Sequence, residues 1–240
     1  MWGTVLKRDL LGETREEDKI RSKEQLKEYL KSEIKRQGRH VVIRDLDVSL
    51  IEDFSNLFEN IAIGVNTLDL SGWRTSNVKR MFMMFLNCEF LESLNLSGWD
   101  TSKVIDIGHM LSGCSSLKSL NLSGWNTSNV MDMSGAFGYC KNLESLDLSG
   151  WNTSNVRSMD WMFYQCKRLK SLDLSGWNTS NVRNMGHMFC GCIHLKSLDL
   201  SGCDTSNVQI VNGMFYECPA PYKVVDDKIR KKIWICGEQY

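Results

Sequence analysis

The side chains best suited to chemistry gather late in the chain. Cys190-Gly191-Cys192, with His187, His194 and Cys203 nearby, offers the thiolates and imidazoles that hold zinc. The spacing argues otherwise. Zinc pairs favour C-x2-C, and Cys192 already belongs to a row of six cysteines at one interval: Cys88, Cys114, Cys140, Cys166, Cys192 and Cys218. A residue that returns once per repeat stacks on its own copies. The six are expected as a ladder of small buried hydrophobes, and the odd total of nine cysteines favours reduced thiols over bridges. No metal and no other cofactor is expected.

The remaining reactive patterns dissolve in the same way. Asp147, Asp173 and Asp199 resemble a carboxylate row, but Asn95 and Asn121 hold the same place in other copies, so the row reads as a solvated face. Trp73, Trp99, Trp125, Trp151 and Trp177 would stack on sugars if exposed; at an inward repeat position they fill the core instead, with Cys203 in the sixth place. Asn126-Thr127-Ser128 matches a glycosylation acceptor, yet its copies form the turn after each tryptophan. There is no phosphate loop, no G-x-S-x-G and no H-E-x-x-H, and an enzyme is not expected.

What positions these residues is a repeat. SLDLSGWNTSNV, at Ser145 to Val156, has copies beginning at Thr67, Ser93, Ser119, Ser171 and Ser197, a period of 26 residues. Leu143, Leu146 and Leu148 form L-x-x-L-x-L, and Leu146 to Leu148 alternates like a strand with one buried face. Ser149-Gly150 ends it. Val156, Met159, Met162, Phe163 and Cys166 then fall at helical spacing, which predicts a short helix on the opposite side of each coil. One coil cannot bury its apolar face alone, so neighbours must supply both burial and strand pairing. The expected fold is an α/β leucine-rich repeat solenoid: 26-residue coils, a continuous parallel sheet on the concave side, and short helices on the other.

Residues 1–44 are expected as an N-terminal cap, with a strand near Trp2 to Leu6. Its helix would start at a capping box, Ser22 and Gln25, bury Leu26, Leu30 and Ile34, and stop at Gly38. The solenoid would run over 45–218, its first copy degenerate and one residue longer. Residues 219–240 would close it with a hairpin around Asp226-Asp227-Lys228.

LDLSGWNTSNVRSMDWMFYQC resembles the repeat of the BspA-type leucine-rich repeat proteins, a bacterial family often found on cell surfaces. The resemblance covers about residues 45 to 218. It implies an adhesive or protein-binding role.

In a repeat protein the columns that vary carry the information about partners. Trp161 stands where other copies have Met83, His109, Gly135, His187 and Gly213; Tyr139 stands in the column of Gln165 and Gly113; Tyr164 and Tyr216 share a column with Leu86 and Cys190. Exposed aromatics of this kind are binding anchors. Arg157 stacks on Arg183, with Lys167 and Arg168 in the same coil, and like charges on adjacent rungs call for an offset from Asp160, Asp173 or a partner. The expected partner-binding residues are Tyr139, Trp161, Tyr164, Arg157, Lys167, Arg168, Arg183, His187 and Tyr216. Twenty-nine basic residues balance 29 acidic ones, so a protein partner is favoured over nucleic acid, which a local basic patch would still permit. The expected function is a protein-interaction module. The alternatives are an intracellular inhibitor or decoy acting on a nucleic-acid-binding protein or its RNA, and a bacterial surface adhesin. No apolar run long enough for a membrane span or a signal peptide is present, which places the chain in the cytoplasm, or at the cell surface if an export signal has been removed.

Overall fold

The computed structural model describes residues 19–219 and the backbone of Tyr222–Lys223. The strand expected at Trp2 to Leu6, the hairpin around Asp226-Asp227-Lys228, and Cys236 lie outside those residues.

Helix α1, Lys23–Gln37, begins where the Ser22 hydroxyl accepts the Gln25 N–H at 3.2 Å. The Gln25 side chain reaches back to the Arg21 N–H at 2.8 Å, one residue before the usual capping-box target. Leu26 and Leu30 are fully buried and Ile34 packs partly buried beside them. Gly38 ends the helix at φ 73°, its N–H bonded to the Ile34 carbonyl at 2.8 Å.

Strands β1 (His40–Val42), β2 (Thr67–Asp69) and β3 (Ser93–Asn95) form one parallel sheet, with Val41, Leu68 and Leu94 in register. Strands β4 (Ser171–Asp173), β5 (Ser197–Asp199) and β6 (Tyr222–Lys223) form a second, with Leu172 beside Leu198. In β1 to β5 the central residue points inward while its two neighbours stay more exposed, as strand alternation requires.

Two expectations fail here. The sheet is not continuous: residues 119–121 and 145–147, although copies of the same sequence, join no strand. The tryptophan column marks the same gap. The indole N–H of Trp73, Trp99 and Trp177 donates to the carbonyls of Ile43, Leu70 and Leu148 at 2.6, 2.8 and 3.4 Å. Those of Trp125 and Trp151 are buried with no acceptor. Coils hold together through the gap because the opposite side carries the stacking. There the one-residue bridges Arg80–Asp106, Asp106–Asp132, Asp132–Ser158 and Ser158–Asn184 run on without interruption.

The second failed expectation is the row of helices. α1 is the sole α-helix among the described residues. In the coil after Val156 the N–H groups of Met159, Trp161, Phe163 and Gln165 donate to Asn184, Gly186, Met188 and Cys190 of the next coil, at 2.7 to 2.9 Å. The intervening Met162, Tyr164 and Cys166 close turns onto residues three places back. Consecutive turns bury Met159, Met162, Phe163 and Cys166 just as a helix would, so the burial spacing alone does not tell the two apart.

The core is a set of stacked columns. All five tryptophans of the repeat column are buried, with Trp73 on Trp99 at 5.6 Å and Trp125 on Trp151 at 6.4 Å between ring centroids. Phe137, Phe163, Phe189 and Phe215 stack at 5.7, 5.7 and 5.5 Å. The six ladder cysteines are buried and unbridged. The Asn-Thr-Ser turn is bound into the scaffold: Thr127 Oγ1 donates to the Asn152 carbonyl, and Asn155 Nδ2 to the Ser128 carbonyl.

Candidate functional site

The turns of the back create two columns at positive φ. One holds Met83, His109, Gly135, Trp161, His187 and Gly213; the other holds Asn87, Gly113, Tyr139, Gln165, Gly191 and Glu217. Glycine and asparagine adopt this conformation readily, whereas other residues lose about 1–2 kcal/mol in it. Trp161 at φ 59° and Tyr139 at φ 58° therefore occupy strained positions. The glycines in these columns also leave room: a Cβ on Gly135 or Gly213 would collide with the imidazole of His109 or His187.

Four of the expected residues meet. Trp161 lies 4.4 Å from Tyr164 and 4.7 Å from His187, and Tyr139 meets Tyr164 edge-on at 5.0 Å, all between ring centroids. Trp161 is 37% exposed and Tyr139 42%, so the cluster faces solvent. Burial first, then Tyr139, pushes the Tyr164 hydroxyl above the usual tyrosine range. Tyr216 is exposed but makes no ring contact with the cluster.

The basic residues separate into two groups. Arg157 and Arg183 sit on adjacent rungs of the back, the Arg183 N–H bonded to the Arg157 carbonyl at 2.9 Å. Lys167 and Arg168 follow Cys166, and Arg168 turns to Glu144 of the preceding coil at 4.0 Å. Arg157, Arg183 and Lys167 make no ion pair among the described residues. Asp160 and Asp173 do not offset them: Asp160 accepts from Ser158 Oγ at 2.6 Å, and Asp173 accepts from the Ser175 N–H at 2.9 Å. Short local bonds have captured both carboxylates. Asp147 and Asp199 likewise accept from the backbone two residues on. Cys190 and Cys192 are buried while His194 is exposed, its ring bonded to the Lys167 carbonyl. Among the described residues no group of three His, Cys, Asp or Glu is placed to hold a metal ion.

Sequence reading missed the strain at Trp161 and Tyr139. The signal was present: glycine recurs in both columns, at Gly135 and Gly213 in one and Gly113 and Gly191 in the other, which marks left-handed turn positions rather than helix.

With the geometry described, the affiliation follows from a family match over most of the chain. Residues 30–146 and 110–227 each match the family described as "Mycoplasma protein of unknown function, DUF285". The chain belongs to that family. The crystal structure of a leucine-rich repeat protein of T. pallidum is similar to this family member at a TM-score of 0.50, with 18% identity over 85% of each chain. The TLR13–ssRNA13 complex overlaps at a TM-score of 0.37, with 20% identity over 79% of this chain and 27% of that one, too loose a likeness to bear on function. No curated protein matches the sequence. The first likeness shows the fold, a leucine-rich-repeat-like scaffold. No helix of the described residues is long and apolar enough to cross a membrane.

Proposed function

We propose that the protein is a non-enzymatic interaction scaffold that binds a protein partner through Tyr139, Trp161, Tyr164 and His187. The basic residues Arg157, Arg183, Lys167 and Arg168 flank the cluster, and Tyr216 extends the surface. In this reading residues 1–44 and 219–240 cap the ends of the repeat array at 45–218. One observation carries the reading: bulky aromatic residues stand exposed at strained positions that the preceding coil gives to glycine, Gly135 before Trp161 and Gly113 before Tyr139. Strain kept without burial in return points to use by a partner.

Replacing Trp161 by glycine separates binding from folding. It relieves about 1–2 kcal/mol of backbone strain and removes ring contacts of similar worth. Thermal melting is expected to hold within about 1 kcal/mol, while capture of the native partner falls at least tenfold. Undiminished capture would remove the cluster from the binding site.

Arg157 and Arg183, which make no ion pair among the described residues, favour an anionic partner surface and support a second reading, an inhibitor acting on a nucleic-acid-binding protein or its RNA. Steep loss of binding between low and moderate salt supports it, and a flat response counts against it. The BspA-type resemblance supports a third, adhesion at a cell surface.

A further inference from the structure

The edge that leads into the front strands varies in a way that neither stacking nor the aromatic cluster explains. Three columns form it. The first runs from Ile63 through Glu89 to Lys167 and Ile193, and the second carries Phe90 and Arg168. The third holds Glu92, Lys118, Glu144 and Lys170. The rungs stack directly: Ser116 N–H bonds to the Glu89 carbonyl, Glu144 N–H to Lys118, and Lys170 N–H to Glu144, at 3.1, 3.0 and 3.3 Å. Glu89, Phe90, Glu92, Lys118, Lys167, Arg168 and Lys170 are all exposed.

Read along the coils, this edge is the complement of its own reverse. Early in the array the motif is Glu89-Phe90-Leu91-Glu92; three coils later the same positions read Lys167-Arg168-Leu169-Lys170. We infer that the edge is a self-association surface, on which a second copy of this chain docks antiparallel about a two-fold axis between the rungs of Lys118 and Glu144. That operator turns each column end for end onto itself. Glu89 then meets Lys167 of the second copy, Glu92 meets Lys170, and Lys118 meets Glu144, each pair occurring twice; Lys170 and Arg168 exchange their pairing with Glu144 of their own chain, at 2.6 and 4.0 Å, for these contacts. Phe90, 55% exposed, meets the Arg168 guanidinium. At each end Ile63, 75% exposed, meets Ile193, 44% exposed. Docking without the reversal would set glutamate on glutamate and lysine on lysine.

Charge supports this occupant beyond the edge. From Asp45 to Asp106 there are ten acidic residues against four basic ones; from Arg157 to Lys196 there are six basic against two acidic. The early basic residues are consumed internally, Arg74 by Asp47, Lys79 by Glu52 and Arg80 by Asp53. An antiparallel second copy brings the two halves into register.

Six rungs at about 4.8 Å spacing and three columns give roughly 300 Å² per copy, below the roughly 800 Å² of a standard interface. The association is therefore weak and set by charge. At about 200 μM and low salt, sedimentation equilibrium should show a mass well above 27.5 kDa, falling to monomer near 0.5 M salt as screening sets in. Glu89→Lys with Glu92→Lys should be monomeric alone, and so should Lys167→Glu with Lys170→Glu; an equimolar mixture should associate, because both contacts become complementary again. Glu89→Gln with Glu92→Gln, which adds no repulsion, should weaken association severalfold. A monomeric wild type, charge-reversed variants that associate as well as wild type, or a mixture that stays monomeric would each overturn the inference. Lys167 and Arg168 also belong to the partner-binding reading, whereas Glu89 and Glu92 do not, so the Glu89 and Glu92 variants test self-association separately from it.

Discussion

Between pH 9 and pH 11 the protein should unfold at room temperature, well before its backbone chemistry would require it. The cause is a set of thiols removed from water, four of the cysteine ladder and Cys203 at the end of the tryptophan column. Burial pushes the Cys140 thiol up to about 12 from its ordinary 9.0, and Cys203 up to about 11. Burial likewise raises Cys166 and Cys192, and Cys114 rises through its bond to Cys88 and through burial. A thiol with a raised folded pKa keeps its proton in the fold. Its contribution is complete below the unfolded value near 9 and is lost as pH climbs toward the folded value. Each such thiol drains about 1.4 kcal/mol per pH unit in that window. The losses of the several buried thiols add, against a whole stability of about 5–15 kcal/mol for an ordinary domain. Melting temperature against pH is the measurement. A Cys140→Ala variant should show a shallower slope by about 1.4 kcal/mol per unit. A melting temperature flat to pH 11 would mean the column is wet. At pH 8 the same burial keeps Cys140, Cys166 and Cys192 from iodoacetamide until the chain is unfolded.

Truncating Phe163 to alanine should cost about 3–5 kcal/mol and split denaturation into two steps. Its ring is fully buried and stacks on Phe137 and Phe189 at 5.7 Å each. The position matters as much as the burial. Residues 119–121 and 145–147 lack strand pairing, so between β3 and β4 the halves are joined mainly by the turns and ring column of the back. Repeat arrays stay cooperative only while nearest-neighbour coupling exceeds the instability of single repeats. A cavity here weakens that coupling where it has least reserve. The same change at Phe215, near the end of the stack, should leave one transition. Urea unfolding followed by tryptophan fluorescence and by circular dichroism should give separated midpoints for Phe163→Ala and coincident ones for Phe215→Ala. The contrast with Trp161→Gly, two residues away, is direct: an exposed strained ring is removed at little cost to the fold, and a buried one is not.

Much of the scaffold was legible because a fixed period converts sequence position into spatial position. The buried tryptophans, the unbridged thiols, the inward leucines of each strand and the helix from Ser22 to Gly38 all follow from stacking and capping. So did the adjacency of Arg157 and Arg183. The back was misread because turns that bond to the next coil bury residues three and four apart, as a helix does. The backbone partners of Met159 and Phe163 distinguish the two, as do the left-handed glycines Gly113, Gly135, Gly191 and Gly213.

Taken alone, then, the order of residues determined which side chains face inward, which lie over one another, and which columns vary from coil to coil. Tertiary structure alone decided that Asp160 and Asp173 are held locally, and that the front ladder parts around Trp125 and Trp151. The reason is that identical repeats carry identical local preferences. Where a hydrogen bond between coils forms or fails depends on how every neighbouring coil has settled, and no single repeat encodes that.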